Sequence, residues 1–132
     1  MHNKVLEEGS ELNLQFEKRN GLLPVIVQEA GSKDILMLGY TNIDAFERTI
    51  QSGKATFWST SRQKLWTKGE TSGDYLLIKE VKVDCDQDAL IYLVKLAGSG
   101  SCHTKNSHGD TRKSCFYRAY DENKQALENL DP

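Results

Sequence analysis

Three cysteines, two histidines and three alternating aspartates fall within residues 83–118, VDCDQDALIYLVKLAGSGSCHTKNSHGDTRKSCFYR. Cys85, Cys102 and Cys115 offer soft sulfur ligands, whereas Asp84, Asp86 and Asp88 offer hard oxygens. Three thiolates can hold Zn²⁺ and leave its fourth tetrahedral position to water, the arrangement of a catalytic site. Zinc lowers the pKa of that water to around 7, which yields hydroxide at neutral pH. A fourth ligand from His103 or His108 closes the site and makes it structural instead. The spacing is not the C-x-x-C of a zinc finger, so the residues alone leave both arrangements open.

If the run Asp84-Cys85-Asp86-Gln87-Asp88 is extended, its carboxylates share one face and Cys85 takes the other, because strand side chains alternate. Three carboxylates on one face repel unless a cation sits among them, and such oxygen ligands suit Mg²⁺. The bland alternative is an acidic turn in water. Cys102 follows Gly98-Ser99-Gly100-Ser101, a loop composition without an apolar pocket, so the reading of a cysteine as a small buried hydrophobe suits Cys85 and Cys115 better. His103, beside Cys102, is placed to move protons at a metal because imidazole titrates near neutrality; the bland alternative is a solvated loop histidine. His108 reads as a surface residue, and His2 as chemically idle.

A second polar stretch, residues 59–74, gathers Ser59, Ser61, Arg62, Lys64, Lys68, Thr71 and Ser72 with Gly69 and Gly73. Arginine binds phosphate bidentately and glycine permits close backbone approach, so this is a phosphate-cradle composition, though not a Walker or Rossmann pattern. Trp66 can stack on a base, although packing in the core is the commoner use of a tryptophan.

Several elements must position these groups. Val25–Val27 and Ile35–Leu38 flank a Gly-Ser-Lys-Asp turn and read as a hairpin. TNIDAFERTIQSGK predicts a helix with Thr41 as cap, Asp44 near its positive end, Ile43, Phe46 and Ile50 on one face, and Gly53 as its stop. ATFWSTS reads as a strand and LWTKGETSGDY as a polar loop. YLLIKEVKV and ALIYLVKLA read as strands joined by the aspartate run, with a parity break between Ile78 and Val81 that predicts a bulge. The tail AYDENKQALENLDP, with Ala126, Leu127 and Leu130 in helical spacing, predicts a short peripheral helix. The expected fold is α+β: a mostly antiparallel sheet, one strong helix and peripheral helices.

The whole chain sets the context. Its 132 residues suit one domain, 1–132, with no repeat or linker visible. A formal charge of -2 and a pI near 5.9 argue against nucleic acid or membrane as a partner, since those reward a basic excess. The N-terminus has no apolar h-region, and the longest apolar run, Leu90 to Val94, is too short to cross a bilayer. The reading is cytoplasmic, where unpaired cysteines are more naturally metal ligands or reactive thiols than disulfides.

The motifs W-x-K-G-E-T-S-G at 66–73, D-C-D-x-D-A at 84–89, C-H-T at 102–104 and S-C-F-Y-R at 114–118 occur together and in order. From about Leu36 to Arg118 the chain resembles the phosphoribosyl-AMP cyclohydrolases of histidine biosynthesis. The resemblance implies hydrolysis of the N1–C6 bond of the adenine ring of 1-(5-phosphoribosyl)-AMP, with zinc and magnesium as cofactors. It implies Cys85, Cys102 and Cys115 as zinc ligands and Asp84, Asp86 and Asp88 as magnesium ligands. It further implies a homodimer whose zinc site takes Cys85 from one protomer and the other two cysteines from its partner.

On this reading zinc hydroxide attacks C6 and His103 moves protons, while Arg62, Trp66, Lys68, Gly69, Thr71, Ser72 and Gly73 hold the substrate. The rival reading is a non-catalytic, zinc-stabilised nucleotide-binding module; a nucleoside deaminase lacks support because its H-x-E and P-C-x-x-C signature is absent. Two departures from the family pattern stand out. Thr60 replaces an arginine in the stretch before Trp66, and KNSHGDTRK lengthens the path from Cys102 to Cys115, offering His108 as an extra ligand or Lys105, Arg112 and Lys113 as phosphate contacts. Some relatives fuse this activity to a pyrophosphohydrolase that makes the substrate; for a chain ending at Pro132, the expectation is that another protein supplies it.

Overall fold

The computed structural model describes residues 4–132. A short helix α1 (Lys4–Glu8) and a 3₁₀ turn (Phe16–Arg19) lead into β1 (Leu23–Glu29) and β2 (Ile35–Thr41). Helix α2 (Ile43–Ser52) is followed by β3 (Thr56–Ser59), β4 (Lys64–Thr67), β5 (Leu76–Val83) and β6 (Leu90–Leu96), and a last hairpin of β7 (Arg118–Asp121) and β8 (Ala126–Asn129) ends the order. The principal sheet has four strands in the order β2-β1-β6-β5; β3-β4 and β7-β8 form separate two-stranded sheets. This is the expected α+β class with mostly antiparallel pairing. Its one parallel contact joins β1 to β6.

Alternation decides which face of the sheet is covered. Val25 and Val27 of β1 sit beside Leu90 and Tyr92 of β6 in register, and all four are buried. They form the core with Leu36, Leu76, Val94 and Phe57, whose ring lies 5.7 Å from Trp66 and 6.2 Å from Tyr92. A Cβ on Gly39 would come within 2.7 Å of the Phe57 ring, so glycine is what lets β2 pass this aromatic cluster. On the opposite face Ile26 and Leu38, direct partners across β1 and β2, are exposed, as is Tyr40.

The β1-β2 hairpin follows the expectation, and the parity break in β5 is a register shift between Ile78 and Glu80. Elsewhere tertiary context overrides the reading. The α2 cap is Asn42, whose side chain accepts from the Ala45 N–H at 2.8 Å; Thr41 is the last residue of β2 and is buried. Of the expected apolar face of α2, Phe46 packs against the core while Ile43 and Ile50 are exposed, and the fully buried residues of the helix are Ala45 and Thr49, whose hydroxyl accepts from the Thr56 N–H at 2.9 Å. Leu65-Trp66-Thr67 belongs to β4 rather than to a loop, because pairing with Thr56-Phe57-Trp58 satisfies its backbone and places Trp66 on Phe57. The C-terminal peripheral helix is not formed. Residues 118–129 fold as the β7-β8 hairpin, with Gln125 at φ 49 near its turn, so the helical spacing of Ala126, Leu127 and Leu130 has no face to bury and loses to cross-strand pairing.

Candidate active site

The aspartate run is a turn, not a strand. The Asp84 Oδ1 accepts from the N–H groups of Asp88 at 2.9 Å and Ala89 at 3.1 Å, and Gln87 takes a left-handed φ of 56°. Asp84, Asp86 and Asp88 converge all the same, with one oxygen from each lying within 4.8 Å of the others. Turn geometry rather than strand parity brings them together. Buried Gln87 braces the turn from behind: its amide donates to the Leu6 and Glu11 carbonyls and accepts from the Asn13 N–H at 2.7 Å.

Two cations that the sequence reading passed over face this cluster. The Lys18 Nζ lies 2.9 Å from Asp86 and 2.8 Å from Asp88, and Arg19 Nη2 lies 3.0 Å from Asp88. The Lys18 hydrogen bond is the main reason the Asp88 carboxyl is held far below the usual carboxylate range. Asp84 moves the other way: partial desolvation, reinforced by the Asp88 carboxyl, raises it against the pull of its two backbone donors. One strongly ionised carboxylate beside one that resists ionisation is what crowding produces when three acids share two cations, both of them placed on Asp88. Three hard oxygens so disposed fit Mg²⁺, which takes few protein carboxylates and keeps its other positions for water or phosphate. The signal for Lys18 and Arg19 was absent from the local sequence because they lie nearly seventy residues away, on the 3₁₀ turn.

The cysteines divide. Cys102 is buried, while Cys85 and Cys115 are exposed, the reverse of the expectation drawn from the Gly-Ser composition. Gly100, Ser101 and Cys102 at the end of the loop are buried because residues 112–115 run along them: Ser101 N–H donates to the Lys113 carbonyl, Cys102 N–H to the Arg112 carbonyl, and Cys115 N–H to the Leu36 carbonyl of β2. A Cβ on Gly100 would lie 2.4 Å from the Arg112 oxygen, so this close approach requires glycine. The two chain segments thus bring Cys102 and Cys115 close enough to alter each other's acidity. Burial acts to raise the Cys102 thiol, but donors from Thr104, the Cys115 thiol and the charge of Lys68 bring it below its ordinary value. Cys115 is pushed up to about 11 by desolvation and by the charge on Cys102.

A neighbouring thiol pair of this kind supplies half of a tetrahedral soft-metal set. Cys85 does not join it: among the described residues, the aspartates are the sole group of three metal-ligating side chains within 4.8 Å of one another. The sulfur pair therefore fits zinc as two ligands of one chain.

Lys68 connects this pair to the glycine-bearing loop. Its charge acts on both cysteines, and its ammonium lies 5.8 Å from the centre of the Trp66 ring. Gly69 follows at φ 92°, and a Cβ there would lie 2.4 Å from the backbone of Asp74 and Tyr75. Thr71, Ser72 and Gly73 are exposed, and Gly73 N–H closes the turn onto the Gly69 carbonyl at 2.6 Å. Arg62 and His103 are exposed, and Trp66 is half-buried against the core. His108 is exposed in a turn, where its N–H donates to the Asn106 side chain. Two of the proposed phosphate contacts are engaged elsewhere: Lys113 pairs with Asp34 at 2.9 Å and with Glu29, and Arg112 bonds Thr104 and the Asp131 carbonyl.

Comparison with known proteins meets this geometry from outside. The family model described as phosphoribosyl-AMP cyclohydrolase matches residues 37–117, which include the aspartate turn, all three cysteines and the Lys68 loop. A phosphoribosyl-AMP cyclohydrolase of Solibacter usitatus is 46% identical over 110 residues, covering 83% of this chain and 82% of the relative. One from Archaeoglobus fulgidus is 49% identical over 107 residues, covering 81% and 92%. The histidine biosynthesis bifunctional protein HisIE of Escherichia coli is 50% identical over 109 residues, 81% of this chain but 53% of that longer protein. With the match spanning most of the chain and every motif of the site, the chain belongs to the phosphoribosyl-AMP cyclohydrolase family.

Proposed function

We propose that this chain hydrolyses the N1–C6 bond of the adenine ring of 1-(5-phosphoribosyl)-AMP, opening the ring to the formimino-carboxamide nucleotide of histidine biosynthesis. The observation that carries the reading is the convergence of Lys68 with Cys102 and Cys115, which joins two motifs far apart in the chain into one site. When bound, zinc supplies acidified water as a nucleophile at neutral pH.

The chain's own groups supply the rest. Cys102 and Cys115 bind zinc, and Cys85 completes the set from a second copy of the chain. Two observations support that dimer: Cys85 stands apart from the other cysteines, and the uncovered sheet face presents Ile26, Leu38 and Tyr40 to a partner. Asp84, Asp86 and Asp88 bind magnesium. His103, exposed beside Cys102, moves protons between solvent and the ring nitrogen. Arg62, Lys68, Thr71 and Ser72 hold the phosphoribosyl groups, Gly69 and Gly73 allow the backbone to approach them, and Trp66 lies beside the base. The setting is cytoplasmic; among the described residues no helix is long and apolar enough to cross a membrane.

Ultraviolet-monitored ring opening of phosphoribosyl-AMP tests the proposal, with zinc and magnesium supplied and a chelator-treated control. Turnover that depends on metal is expected. A folded, zinc-loaded protein without turnover would sink it in favour of a nucleotide-binding module.

A further inference from the structure

The nine residues that lengthen the path between Cys102 and Cys115 are ordered against the site, not looped away from it. Asn106 caps their turn, accepting from the N–H groups of His108 and Asp110 at 3.0 Å each. Lys105 and Thr111 form a bridge, and Arg112 N–H donates to the Thr104 carbonyl at 3.1 Å. This path returns Arg112 to the side of the motif Cys102-His103-Thr104.

The Arg112 guanidinium is constrained by three contacts. It lies 4.0 Å from the centre of the Tyr117 ring, its Nε donates to the Asp131 carbonyl at 2.9 Å, and its Nη1 donates to Thr104 Oγ1 at 3.1 Å. Thr104 Oγ1 in turn lies 2.9 Å from Cys102 Sγ, and the Thr104 N–H lies 3.4 Å from the same sulfur.

Donor inventory sets the direction of this chain for the ligating form of the cysteine. A guanidinium has donors and no acceptor, whereas a threonine hydroxyl has one proton and two lone pairs. Arg112 occupies one lone pair of Thr104 Oγ1, and a Cys102 thiolate, the form that binds a metal, has no proton to give, so the hydroxyl proton goes to Cys102 Sγ. As a thiolate the sulfur then receives two hydrogen bonds, from O–H and N–H.

We propose that Arg112 is a positioning residue that acts through Thr104 to orient and electronically tune Cys102 as a metal ligand. It is supplied by the added segment, and its guanidinium is taken up by Tyr117, Asp131 and Thr104. The inference rests on the assignment of Cys102 to zinc and extends it to the groups behind the ligand, whose loss typically weakens metal binding 10- to 100-fold.

A double-mutant cycle on the full chain tests it. Zn²⁺ affinity is measured by competition with a chromophoric chelator, and Co²⁺ is used to record the sulfur-to-metal charge-transfer band. Arg112→Met and Thr104→Val are each expected to weaken Zn²⁺ binding about tenfold or more and to shift the Co²⁺ band, while Thr104→Ser, which keeps the hydroxyl, restores both. The decisive result is non-additivity: with Thr104→Val already present, Arg112→Met should produce no further loss. A merely structural arginine predicts an equal loss in both backgrounds, and that result overturns the proposal, as does an unchanged affinity and band in Arg112→Met. Cys102→Ser separates the two levels. If that variant retains full zinc affinity, the ligand assignment fails and this inference with it; if it loses zinc while the cycle is additive, only the role of Arg112 fails.

Discussion

The Lys18 ammonium lies 2.8 Å from Asp88 and 2.9 Å from Asp86, bridging two of the three carboxylates assigned to magnesium. A divalent ion entering the cluster competes with that ammonium for the same oxygens. Lys18→Met removes the competitor and leaves the acids to repel, so its affinity for Mg²⁺ should exceed that of the wild type several-fold. Titration calorimetry with Mg²⁺ measures this directly. Equal affinities would show that Lys18 and the ion occupy different positions.

Acid should weaken the metal-free protein through Asp88. Its folded carboxyl is depressed, chiefly by the Lys18 hydrogen bond, below an unfolded value near ~3.9. The unfolded chain therefore binds the extra proton first. The stabilisation is complete above about pH 4 and drains away as pH falls from there toward the folded value. Thermal melts between neutral and acid pH should show wild type losing more stability than Asp88→Asn; parallel loss in the two proteins would contradict the pairing.

Gly69 is required by geometry. At φ 92°, with a Cβ position 2.4 Å from the Asp74 and Tyr75 backbone, alanine meets both backbone strain and a clash that no rotamer relieves. Gly69→Ala should cost roughly 1–3 kcal/mol of stability and displace Lys68, lowering turnover by a larger factor than it lowers stability-limited yield. Chemical denaturation and steady-state kinetics on the same preparation separate the two effects. Gly73→Ala has a positive φ of 83° but open space around its Cβ, and should be milder.

Cys102→Ser should lose zinc and activity together, whereas Asp86→Asn should keep zinc and lose the response to magnesium. Metal analysis and magnesium titration of the rate check these outcomes. An active, zinc-replete Cys102→Ser protein would remove that cysteine from the ligand set.

Subunit exchange tests the shared site. Mixing the inactive variants Cys85→Ser and Cys102→Ser should restore part of the activity, since one composite site then keeps all its sulfurs. No recovery after exchange verified by mass spectrometry would require all three ligands to come from one chain.

The site was legible in the sequence where its chemistry is local. Three cysteines, three closely spaced aspartates and the Trp66-to-Gly73 motif identify their ligand types and the family without coordinates. The same is true of the β1-β2 hairpin and the β5 bulge, because turn composition and apolar parity are near-neighbour properties. The C-terminal helix and the burial of the cysteines were misread for a common reason. Spacing states which side chains align, but only the surrounding fold states whether there is anything to bury them against. Residues 126–129 find a strand partner instead of a core, and the end of a Gly-Ser loop that reads as exposed is covered by residues 112–115.

Sequence alone thus determined the kinds of donor present and the α+β alternation that carries them, because both depend on residue type and short-range period. Tertiary structure decided the pairings: Lys18 with the aspartates, Lys68 with Cys102 and Cys115, and Arg112 with Thr104. The first two join distant segments of the chain, and the third depends on a turn that brings Arg112 back beside Thr104. Side-chain charge and hydrogen bonding act over a few ångströms in space, and it is the folded path of the chain that sets those distances.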